Sequence, residues 1–89
     1  MKPDQIYQQL IELAEKFEIT VSEQNFKATN VKAASGFCIV KGHKRFIIDK
    51  QLKIHGKIDV LAAFLSKFPH EDIFMMPALR DILGRYRAD

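Results

Sequence analysis

The chain has 89 residues and a mass of 10.3 kDa, which fits one domain close to the size at which a single apolar core becomes marginal. Hydrophobic residues make up 47% and charged residues 28%, a balance that excludes the weakly hydrophobic class of disordered chains. Fourteen Lys and Arg against eleven Asp and Glu leave a formal +3, a mild basicity that selects no partner by itself.

The opening, Met1-Lys2-Pro3-Asp4-Gln5, has no apolar run behind its positive charge, so no secretory leader is expected, and no segment has the length of a membrane span. Pro3 suits the first position of a helix, where its missing N–H would be unpaired anyway, and Asp4 suits the positive end of the helix dipole. Ile6, Leu10, Leu13 and Phe17 then recur at helical spacing, with Tyr7, Ile11 and Ala14 widening the same face. The period changes at Ile19-Thr20-Val21-Ser22, where β-branched and polar residues alternate as in a short strand. From Glu23 to Ser35 no period survives, and a long loop is expected, pinned by Phe26 and Val31.

Gly36 to Lys41 and Lys44 to Asp49 read as a β-hairpin, with Gly42 supplying the positive φ of a tight turn. With Gly42 and His43 as the loop, Lys41 faces Lys44, Ile39 faces Phe46, Cys38 faces Ile47 and Phe37 faces Ile48. Phe37, Ile39, Phe46 and Ile48 then share a face apolar enough to be the core, and a four-residue loop from Lys41 to Lys44 leaves the faces unchanged. After a link from Lys50 to Gly56, a wide stripe of Ile58, Leu61, Ala62, Leu65 and Phe68, extended by Val60 and Phe64, predicts a buried central helix that Pro69 ends. His70-Glu71-Asp72 reads as a turn, and Pro77 can open a last helix with Leu79, Ile82, Leu83 and Tyr86 on its apolar face. The expected fold is a single α+β domain over residues 1–89: an N-terminal helix, a short strand, a β-hairpin, then two C-terminal helices packed on a small antiparallel sheet.

Charge is distributed unevenly. Residues 1–23 carry net −3, residues 24–57 net +7 and residues 58–89 net −1. The positive excess lies in the loop, the hairpin tip and the link to the central helix, which makes Lys27, Lys32, Lys41, Lys44, Arg45, Lys50 and Lys53 the candidate partner-binding residues. Such a segment either contacts an anionic partner, an acidic protein surface or nucleic acid, or is a solvated turn whose lysines blunt a sheet edge. Lys predominates over Arg, and there is no helix-turn-helix signature, Gly-rich phosphate loop or aromatic RNA-binding motif.

The sequence offers little for catalysis. Cys38, His43, His55 and His70 fit no common zinc spacing, so neither metal nor cofactor is expected, and the single cysteine permits no internal disulfide, which points to a reducing cytoplasm. An enzyme would need a cleft between hairpin and central helix lined by Asp49, Asp59, His43 or His55. Gly36 to Val40, Phe46 to Asp49, Leu52 and Lys57 to Leu65 together resemble the hairpin-plus-helix core of small zincin-like domains. The positions of the family's His-Glu-x-x-His ligands would fall on Ala62, Ala63 and Ser66, or on Ala63, Phe64 and Lys67. The resemblance implies a scaffold kept without the metal or the peptidase chemistry.

Phe74, Met75 and Met76, in the apolar run before Pro77, either form an association surface for homo-oligomers or staple the last helix to the core. Arg80, Arg85 and Arg87 read as a solvated face or a second contact with an anionic partner. The leading expectation is a small non-catalytic interaction module using its basic loop and hairpin tip. Homo-oligomeric association is the alternative.

Overall fold

A computed structural model describes residues 2–26, 35–69 and 73–86. Helix α1 spans Pro3–Lys16. Its start is closed by the side chain of Gln5, which accepts a hydrogen bond from the Lys2 N–H at 3.1 Å, and by Pro3 at the first position. The helix ends with Glu18 in the left-handed region at φ 63°, the conformation that turns a chain sharply out of a helix and that glycine or asparagine adopts at least cost. That turn delivers strand β1, Ile19–Gln24, back along the helix.

Strands β2, Ser35–Val40, and β3, His43–Asp49, form the hairpin. Its turn residues are Lys41 and Gly42, both at positive φ, 52° and 81°, instead of the expected Gly42 and His43. A two-residue turn of type I′, whose twist matches that of the strands, has positive φ at both positions, so Lys41-Gly42 occupies the place that Asn-Gly commonly fills. The register consequently moves by two residues: Phe37 lies opposite Phe46, Cys38 opposite Arg45 and Ile39 opposite Lys44. A shift of two preserves the faces, so Phe37, Ile39, Phe46 and Ile48 still share one. It removes the expected confrontation of Lys41 with Lys44.

The sheet order is β1-β3-β2. Because β1 joins β3 in parallel, with Val21 opposite Phe46, the sheet is mixed and not wholly antiparallel. β3 is the central strand, and its Phe46 and Ile48 are buried on the face that the helices cover. The ladder continues past the strand end, where the Lys50 N–H donates to the Gln24 carbonyl at 2.9 Å.

Helix α2, Ile54–Leu65, begins before the predicted link has ended. Gly56 sits in its first turn, where an added Cβ would make only ordinary contact with Leu52. The helix stops at Leu65 and unwinds through Ser66, Lys67 and Phe68 ahead of Pro69. Helix α3 spans Pro77–Tyr86. Leu10, Leu13, Ile19, Phe46, Ile48, Leu61, Leu65, Leu79 and Leu83 are buried in one core drawn from all three helices and the inner sheet face. Phe26 is buried as expected; Val31 and the predicted turn at 70–72 lie outside the described residues. Full burial of one such side chain contributes about 2 kcal/mol.

One expectation about the core is corrected. Phe46 and Ile48 are buried, but Phe37 is 43% and Ile39 62% exposed. The helices lie chiefly over β1 and β3, and among the described residues the β2 end of the same face is left open.

Candidate interaction surface on the hairpin

The basic candidates fall into separate groups. Lys41, Lys44 and Arg45 surround the hairpin turn, with Lys44 on the helix-covered face and Arg45 on the opposite one. Lys50 and Lys53 follow the other end of β3, and Lys53 immediately precedes the first residue of α2. Lys44 and Lys50 are six residue steps apart along β3, about 20 Å at the usual rise. Lys27 and Lys32 lie outside the described residues.

Lys57, the remaining cation of the basic segment, is engaged in the fold. Its Nζ lies 2.9 Å from Glu23 Oε1 and 6.0 Å from the centre of the Tyr7 ring, while Tyr7 Oη donates to Glu23 Oε2 at 2.7 Å. The cluster ties α1, β1 and α2 together. The Lys57 hydrogen bond holds the Glu23 carboxyl below its ordinary range, opposed by burial and reinforced by Tyr7. Burial, then the bond to Glu23, raises the Tyr7 hydroxyl above its ordinary value, so it remains a donor at neutral and acid pH.

Because Glu23 has a lower pKa folded than unfolded, its contribution to stability is complete above the unfolded glutamate value. It is lost as the pH falls through the folded value. Denaturant titrations across the acid range are expected to show this loss, and Glu23→Gln to flatten it. The same slope in both proteins would contradict the assignment.

The carboxylates considered for catalysis have structural partners. Asp49 Oδ1 accepts the Gln51 N–H at 3.0 Å, a turn closure, and Asp59 accepts the Tyr86 hydroxyl, a bond that raises the tyrosine pKa. A groove of 380 Å³ does lie between hairpin and α2, but Phe37, Phe46, Val60, Phe64 and Lys67 line it, with none of Asp49, Asp59, His43 or His55. His55 and Asp59 instead border a 210 Å³ cleft among the three helices, beside Arg85 and Tyr86. Ala62 and Ser66 are buried, and Ser66 Oγ donates to the Ala63 carbonyl at 2.8 Å. Among the described residues no group of His, Cys, Asp and Glu is placed to hold a metal ion, and no helix is long and apolar enough to cross a membrane.

The run before α3 alternates. Ile73 and Met75 pack against the core, whereas Phe74 is 87% exposed and Met76 is exposed beside it. Lys16 Nζ donates to the Phe74 carbonyl at 2.9 Å and Arg80 Nη2 to that of Ile73 at 2.8 Å. The segment therefore staples α3 through alternate residues and presents the others. Arg85 is exposed, and Arg87 lies outside the described residues.

What the sequence reading missed is that β2 is an edge strand among the described residues. Phe37, Ile39 and Val40 are all exposed there, next to the basic tip and without a carboxylate anywhere from Ser35 to Ile48. A signal was present in the uncharged run Ser35 to Val40, which sequence alone cannot distinguish from a central strand. No protein-family model, curated protein or solved structure matches this chain.

Proposed function

We propose that this chain is a small non-catalytic interaction module that binds an acidic protein surface through its basic hairpin tip. The observation that carries the reading is the combination at that tip of Lys41, Lys44 and Arg45 with exposed Ile39 and Val40 and no neighbouring acid on the hairpin. A protein surface offers carboxylates and apolar side chains side by side, which is the complement of this patch. Nucleic acid favours a continuous cationic track with exposed rings for stacking. Here the cations divide between the two ends of β3, and the Phe37 ring packs on Phe64. The cytoplasm is the compartment in which the lone thiol of Cys38 stays reduced.

The test uses an acidic peptide of alternating Glu and Leu and, separately, a duplex DNA. Lys41→Asn, Lys44→Ala and Arg45→Ala combined are expected to weaken peptide binding about tenfold, from exposed ion pairs worth up to about 1 kcal/mol each. Asn suits the turn at least as well as Lys, so Lys41→Asn preserves the hairpin. Lys50→Ala with Lys53→Ala should leave peptide binding unchanged. DNA binding that falls steeply with salt and depends equally on both groups of lysines would overturn the reading.

A second reading, association of copies through Phe74 and Met76, has the exposure of Phe74 in its favour. Light scattering of Phe74→Lys separates it from the first.

A further inference from the structure

We propose that the outer edge of β2 pairs antiparallel with β2 of a second copy of this chain, joining two three-stranded sheets into one continuous sheet. The proposal uses the outer edge of β2, which meets the hairpin tip at Ile39, and it does not depend on the acidic partner.

The backbone makes the edge available. A two-residue turn makes Val40 and His43 a mutually hydrogen-bonded pair, and antiparallel pairing alternates. The register then directs the N–H and C=O groups of Ser35, Phe37 and Ile39 away from β3. Among the described residues β2 is an edge strand. Proteins commonly protect such an edge with lysine, proline or a bulge, and Ser35-Gly36-Phe37-Cys38-Ile39-Val40 contains no charge and no proline.

Symmetry selects the occupant. Two identical antiparallel strands related by a twofold axis must have one residue facing itself, because paired residues point to the same face of the sheet. Phe37 is the middle one of the three outward-directed residues. With Phe37 on the axis, Ser35 faces Ile39 of the second copy and Gly36 faces its Cys38, so small side chains meet larger ones. Nothing lies within 4 Å of where a Gly36 Cβ would be. The two Phe37 rings meet on the helix side, at the mouth of the groove formed with Phe64.

Charge permits the same arrangement. Each turn lies four residues from the axis, so the two Lys41 residues are about 26 Å apart at the usual rise per residue. That exceeds the screening length of about 8 Å at physiological salt. The other sheet edge is less suited, since β1 carries Glu23, held by Tyr7 and Lys57.

Sedimentation of the intact chain over a wide concentration range tests the proposal. The native protein is expected to dimerise. Phe37→Lys alone and Phe37→Glu alone are each expected to be monomeric, because like charges then face each other across the axis, and a mixture of the two to recover the dimer. Thermal melts of each variant verify folding. Since Phe37 is partly exposed, Ile39→Lys provides a second substitution at a still more exposed position on the same edge, and it too should yield monomer. Phe74→Lys should leave the dimer intact. The proposal is overturned by a native protein that stays monomeric throughout, by a dimer that survives both Phe37→Lys and Ile39→Lys, or by one lost with Phe74→Lys. A monomer that binds the acidic peptide would end this proposal while leaving the tip reading in place.

Discussion

Replacing Phe64 by alanine is expected to lower folding stability by about 3 kcal/mol, and replacing Phe37 by about 1 kcal/mol, at and below the lower end of the range for buried aromatics. Phe64 stacks on Phe46 with ring centres 4.2 Å apart and planes 14° from parallel. It also meets Phe37 at 5.1 Å and Phe68 at 5.1 Å, and Phe68 reaches Phe17, just past the end of α1, at 5.2 Å. Removing the Phe64 ring therefore breaks the series of ring contacts that runs from the sheet through α2 to the end of α1. Phe64 is only partly buried, so solvent fills some of the space and the loss stays near the lower limit. Phe37, at the end of the series and 43% exposed, loses one ring contact. For a domain of this size the difference corresponds to a fall in Tm of about 12 to 24 °C against about 4 to 8 °C. Calorimetry that found equal falls would contradict the central place of Phe64.

The same rings show where sequence reading succeeds and where it stops. Helical periodicity identified Leu10 and Leu13, and Leu61 and Leu65, because a helix face is a local property of spacing. The hairpin faces were also legible, since a register shift of two leaves alternation intact. Which end of the face becomes buried is decided by where α1 and α2 settle, and this depends on contacts distant in sequence. Phe37 and Phe46 have the same local signature, and only packing separates an exposed ring from a buried one. The parallel pairing of β1 with β3 was hidden for a similar reason: it joins segments more than twenty residues apart, and nothing in Ile19 to Gln24 names the partner strand.

Charge behaved differently. The excess of residues 24–57 is a one-dimensional quantity, and folding redistributes it. Lys57 is drawn into the cluster with Glu23 and Tyr7, and Lys50 and Lys53 leave by the far end of β3. Three adjacent cations remain around the turn, where proximity in sequence guarantees proximity in space. Local clusters survive folding, whereas clusters assembled from a count do not.

Leu61→Ala is expected to cost about 3 kcal/mol, within the range of about 2 to 5 found when a fully buried leucine is truncated and its site collapses only in part. Leu61 is completely buried on the helix that touches α1, α3 and β3, so each neighbour is held by its own other contacts and none is free to fill the space. A chain of 89 residues has about 4 to 13 kcal/mol of stability by the usual allowance per residue, which makes the loss a large share of the whole. Tyrosine fluorescence provides a check on cooperativity because the chain has no tryptophan, and its two tyrosines, Tyr7 and Tyr86, lie on α1 and α3, both of which pack against α2. In urea, single-tyrosine versions of the variant, made with Phe at the other position, should show a lower midpoint with unchanged slope, and both reporters should move together. Two separate transitions would mean that α3, with Leu79 and Leu83, unfolds as a unit of its own, and that neither α2 nor the Tyr86 bond to Asp59 joins the helices into one core.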